Sequence, residues 1–192
     1  TVTVKYCLSV GIGTGGAGPM LTPRWMKNPT GESLQLDLSH DAAHVQNVGS
    51  LFTPSRPPFT GTMTYLSILG LIGSGYAQHT LHARVPAQPL AAVGSYTSDF
   101  AGDHTELSYR YSDVLLAAAP TSCTAGGTGG ASMVRSPFIA TARVDPECHV
   151  NAATDMDFGT VPGVISSPVN ASSAVTMTCR RNTPWQMSLS DG

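Results

Sequence analysis

At 192 residues the chain has room for one large β domain or two small ones, and enough side chains to build a core. Charged residues make up only 11%, against 20 Gly and 14 Pro, a balance that favours short strands and turns over amphipathic helices. A formal net charge of -2, with ten scattered Lys and Arg, leaves no basic stripe for a phosphate backbone, which sets nucleic acid aside as a partner.

The chain begins at Thr1 with no basic-then-apolar leader, so any secretory signal is expected to have been removed. Gly11-x-Gly13-x-x-Gly16 fits a dinucleotide fingerprint as a string. Ala17, Gly18 and Pro19 follow it, however, so no helix can start there to face a phosphate, and the segment reads as a glycine-rich loop. Leu34, Leu36 and Leu38 share one face of a strand. His40, Asp41 and His44 have ligand-like spacing only if helical, and no metal is expected.

Leu66 to Ile72 is the longest apolar run, far below the roughly 18 to 20 residues of a spanning helix. It reads either as a buried, bulged strand or as an exposed apolar loop in which Leu66, Ile68, Leu69, Leu71 and Ile72 contact a surface. In Thr80 to Val85, Leu81, Ala83 and Val85 should point inward; in Glu106 to Tyr111, Leu107, Tyr109 and Tyr111 should do so. Ala117 to Ser132, rich in Ala, Gly, Thr and Ser, reads as a flexible linker. Beyond it Phe138, Ala140, Ala142 and Val144 alternate with Ile139, Thr141 and Arg143, and Val175, Met177 and Cys179 alternate with threonines. After a turn at Asn182 to Pro184 the same parity returns in Trp185, Met187 and Leu189. The chain is thus expected to be all-β, with a domain at 1–132 and the start of a second at 133–192.

Cys7, Cys123, Cys148 and Cys179 form no C-x-x-C pair and have no His at zinc-finger spacing, so two disulfides in an oxidising compartment fit better than a metal. Sequence alone allows three connectivities; pairing within each expected domain gives Cys148 with Cys179 and Cys7 with Cys123. There is no Gly-x-Ser-x-Gly elbow, and the cysteines read as structural, which argues against a nucleophilic enzyme. No cofactor is expected.

Cys148 to Ala152, Met156-Asp157-Phe158-Gly159, Ala174 to Cys179 and Thr183 to Gly192 occur in an order that resembles the opening half of a spore coat protein U domain. The first 112 residues resemble the closing half of such a domain. The resemblance rests on Val2 to Cys7, Pro23-Arg24-Trp25-Met26, Arg84-Val85-Pro86, Val93 to Asp99 and Thr105 to Tyr109, while in Leu34 to Asp41 the family's tyrosines are replaced by Gln35 and Leu38. The chain therefore reads as the end of one domain, a linker and the beginning of another, or as a circularly permuted single domain; the long join favours the first.

This family supplies subunits of archaic chaperone-usher pili. The resemblance implies immunoglobulin-like β-sandwiches with Greek-key connections, incomplete in the manner of pilins, and its double pattern implies a tip adhesin. Implied partners are a periplasmic pilus chaperone, an outer-membrane usher, a neighbouring pilin subunit that donates a strand, and an abiotic or host surface. The implied route runs through the periplasm to the cell surface, with attachment and biofilm formation as the outcome. Val175, Met177, Trp185, Met187 and Leu189 are the expected lining of the donor-strand groove. A structural shaft pilin, or a spore-coat-like secreted protein without receptor binding, is the alternative reading.

Overall fold

A computed structural model describes residues 1–51, 56–66, 74–114, 117–134 and 136–190. Its strands are β1 (Val2–Val10), β2 (Arg24–Lys27), β3 (Ser33–Ser39), β4 (Phe59–Tyr65), β5 (His82–Arg84), β6 (Gly94–Asp99), β7 (Thr105–Ser112), β8 (Gly129–Val134), β9 (Ile139–Val144), β10 (Cys148–Ala153) and β11 (Val175–Cys179). The class is all-β, of the immunoglobulin-like sandwich type. Among the described residues, helix is confined to two single 3₁₀ turns, Pro19–Leu21 and Gly102–His104, and no helix is long and apolar enough to cross a membrane.

The chain divides into two compact units. One comprises residues 1–88 and 95–142, the other residues 89–94 and 143–192. Strand order is β4-β1-β7-β8 in one sheet, β5-β3-β2-β6-β9 in a second and β10-β11 in a third. In the first unit β1 is the central strand, antiparallel to both β4 and β7. Its even-numbered residues Val2, Val4 and Tyr6 are buried on one face, while Cys7 on the other is bonded to Cys123.

Leu34, Leu36 and Leu38 are all buried, as the alternation of β3 requires, and they join Met26, Val48, Tyr96 and Phe100 in the core. Phe100 stacks on Phe138 with ring centroids 4.4 Å apart, and its N–H donates to the Phe138 carbonyl. The Gly11 to Gly16 segment is a loop. Its Gly13 and Gly16 adopt positive φ, and a side chain at Gly15 would run into the Trp25 carbonyl.

Three local expectations are corrected. The strand expected at Thr80 to Val85 shrinks to β5, three residues on a sheet edge, where Ala83 and Val85 are exposed. Pro86 stops it, and an Arg84–Asp37 ion pair of 3.0 Å holds it to β3 in place of apolar burial. In β7 the most buried residues are Thr105, Ser108 and Ser112, whereas Leu107, Tyr109 and Tyr111 are half-buried, because two of these three border an open groove. Trp185, Met187 and Leu189 follow the turn, where Asn182 takes φ 65°, but form no strand and are exposed.

The Ala- and Gly-rich linker is also built into the fold. Cys123 ties it to β1, and its end forms β8, which contains residue 132. Composition alone reads such a stretch as flexible, because the two features that order it, a disulfide and a strand edge, come from residues far away in sequence.

Candidate strand-accepting site

In the first unit, paired strands bring large apolar side chains together on one face of the β4-β1-β7 sheet. Val4 lies opposite Met63, Tyr6 opposite Tyr109 and Leu8 opposite Leu107. Because residues directly opposed in antiparallel strands project to the same side, these six form a continuous apolar surface. With Gly75, Tyr76, Ala77 and His79 they enclose an open groove of about 570 Å³. Its polar features are Ser136 and a hydrogen bond of 2.8 Å between the Tyr6 hydroxyl and His79 Nε2. His79 also packs against Phe59, with ring centroids 4.9 Å apart. Such a surface suits the apolar side chains on alternate residues of an extended peptide.

The second unit presents apolar surface in a different form. β10 and β11 make a two-stranded ribbon closed by a disulfide between Cys148 and Cys179, which are directly opposed in register. A bulge separates Val150 from Ala152. Beside the disulfide, Arg180 Nε donates to Glu147 at 3.1 Å and His149 bonds the same carboxylate at 2.8 Å. These two bonds, the Arg180 bond first, hold the Glu147 carboxyl below its ordinary range. Every residue of β10 is exposed, and so are Val175, Trp185, Met187 and Leu189, with Met177 half-buried. Met156, Phe158, Val164 and Ile165 are likewise exposed. A ribbon of two strands cannot bury both its faces, which leaves these apolar side chains exposed.

The remaining candidates fall as follows. Leu66 is exposed, while Ile68, Leu69, Leu71 and Ile72 lie outside the described residues. His40 Nε2 donates to the Pro57 carbonyl, His44 shares a hydrogen bond with Ser39, and Asp41 accepts the backbone N–H groups of Val45 and Gln46. Each of the three is thus engaged in holding its own loop. Among the described residues no group of three or more His, Cys, Asp or Glu is placed to hold a metal ion.

Two features were not singled out from the sequence. The groove of the first unit had a visible signal, the alternation Leu107, Tyr109, but only the register of β1 against β4 and β7 makes it a surface. The burial of Arg24, which is 1% exposed, had no signal at all.

These features define an all-β protein with an apolar groove on a sheet of its first unit and exposed apolar side chains on the ribbon of its second. Residues 134–192 match the family model of the Spore Coat Protein U domain, a domain associated with subunits of chaperone-usher pili. The match spans less than half of the chain, and it takes in β9, β10, β11 and their disulfide. Comparison with curated proteins and with solved structures gives no match.

Proposed function

We propose that this chain is a subunit of an archaic chaperone-usher pilus, assembled by donor-strand complementation and acting at the tip in attachment to surfaces and in biofilm formation. The observation that carries the reading is the exposed apolar surface of residues 143–192, the segment that falls within the Spore Coat Protein U match. A periplasmic chaperone covers that surface first, and a neighbouring subunit's strand replaces it. Val175, Met177, Trp185, Met187 and Leu189 face the incoming strand, and Leu66 to Ile72 meets an abiotic or host surface. The protein passes an outer-membrane usher on its way to the cell surface. Its role is assembly and adhesion, with no catalytic step.

The test is thermal unfolding of the full chain, alone and with a peptide of alternating valine and threonine added in excess, followed by light scattering. A strand acceptor is unstable or aggregated alone and gains stability as peptide concentration rises, since a ligand that binds only the folded state shifts the equilibrium by mass action. A cooperative, high-temperature melt of the lone chain that the peptide does not move would overturn the proposal.

A further inference from the structure

The β7 edge, where a donated strand would pair beside the groove, is already occupied. β8 runs antiparallel to it, with Leu107 opposite Val134, Tyr109 opposite Ala131, Arg110 opposite Gly130 and Tyr111 opposite Gly129, and with an irregularity between Leu107 and Tyr109. Opposed residues share a face, so Ala131 stands on the groove side next to Tyr109, and Gly129 next to Tyr111. On that side these two positions carry a methyl group and a hydrogen atom, and the groove stays open at about 570 Å³.

Gly130 is required by a close backbone approach, and Gly129 leaves room for the Tyr111 ring. A Cβ at Gly129 would lie 2.5 Å from the Tyr111 ring, and one at Gly130 would collide with the Tyr109 carbonyl. The stretch from Gly129 to Ala131, the part of β8 that faces Tyr109 and Tyr111, is poor in side chains, so it holds its place by backbone bonds and its register is weakly specified.

We propose that β8 is a resident placeholder: it caps the β7 edge in cis and must be displaced before a partner's strand with large alternate side chains can seat in the groove. The inference rests on the strand-accepting reading above. Backbone hydrogen bonds exchange one for one in the swap, so what decides it is the apolar surface that the incoming strand covers and β8 does not. The Cys7–Cys123 disulfide keeps β8 tethered near its seat after displacement, which raises its effective concentration and makes the occupancy reversible.

The experiment uses the full chain, its Gly129→Val variant, and a Ser132→Pro variant that adds no bulk against Tyr111 but removes a β8 backbone donor. Amide hydrogen exchange is followed over β1 and β7, with uptake of a peptide of alternating valine and threonine that bears a photo-crosslinker, counted as the fraction crosslinked to β1, β4 or β7. In the unaltered chain β7 is protected and uptake is slow. In either variant β7 loses protection by about tenfold or more while β1 keeps it, and uptake quickens to match. Free exchange of β7 in the unaltered chain overturns cis occupancy. Equal uptake by all three chains, despite loss of β7 protection in the variants, overturns the blocking role. If β7 opens and no chain takes up peptide, the strand-accepting reading fails first and the placeholder role with it.

Discussion

The Nη2 group of Arg24 donates to the Val48 carbonyl at 2.8 Å, and that bond holds the loop after β3 against the strand that follows the glycine loop. The same nitrogen reaches the Val10 carbonyl at 2.8 Å, and Nε reaches Gly11 at 2.7 Å. Burial, and secondarily the nearby Arg56 charge, push the Arg24 pKa down to about 10, with Asp37 pulling the other way. The side chain is therefore charged at neutral pH, and three carbonyls offset the cost of its desolvation.

Arg24→Ala should cost about 3–5 kcal/mol, because the carbonyls lose their donor and a buried volume empties. Arg24→Lys should restore only part of this, since an ammonium cannot reproduce the planar fork. Urea unfolding at neutral pH reads both. A cost below about 1 kcal/mol for the alanine variant would show that water replaces the guanidinium.

The two disulfides should differ in consequence. Chain entropy alone predicts about 4 kcal/mol for the Cys148–Cys179 bridge, 31 residues apart. For Cys7–Cys123, 116 residues apart, it predicts about 5 kcal/mol. The longer bridge joins a unit with its own core, whereas the shorter one closes a ribbon whose strands are almost wholly exposed. Replacing Cys148 and Cys179 by serine should therefore abolish hydrogen-exchange protection in β10 and β11, while the Cys7 and Cys123 double variant lowers the melting temperature but keeps β1 to β7 protected. The reverse ranking would show that the ribbon has another source of stability.

Acid should loosen two places first. Glu147 is held below its ordinary value of 4.5 by Arg180 and then His149, and Asp41 is held below 3.8 by the Gln46 and then the Val45 backbone N–H. Both folded-state values lie under the unfolded ones, so each carboxylate contributes its full stabilisation above the unfolded pKa and loses it as pH falls through the folded value. Both meet solvent, so the effect is local. Exchange around residues 147–149 should quicken below about pH 4.5 in the unaltered chain, and Glu147→Gln should remove that pH dependence. An unchanged acid profile in the variant would assign the loosening to other groups.

Ile68→Asp combined with Leu71→Asp should abolish attachment to polystyrene while leaving the melting temperature of the chain unchanged, if Leu66 to Ile72 is a contact loop. Should the same pair of substitutions unfold the chain, those residues belong to a core, where a carboxylate cannot be accommodated without a partner.

Much of the strand pattern was legible in the sequence because alternation is a local property. Leu34, Leu36 and Leu38 on one face of β3 follow from side chains pointing to opposite sides in turn. The same logic misjudged Ala83 and Val85, since alternation says which residues share a face and says nothing about whether anything covers it. It also extended the pattern through Trp185, Met187 and Leu189, where no neighbouring strand pairs with the segment among the described residues.

The order of residues alone determined that this protein is all-β, where its turns fall, and that its last third carries the Spore Coat Protein U pattern, because each of these depends on side chains a few positions apart. Tertiary structure decided that Arg24 is buried, that β1 joins Tyr6 to Tyr109 in one groove, and that a glycine-rich linker becomes a strand on the β7 edge. Those outcomes depend on which distant segment reaches a free edge, and backbone hydrogen bonding is the same for every sequence that can adopt the extended form.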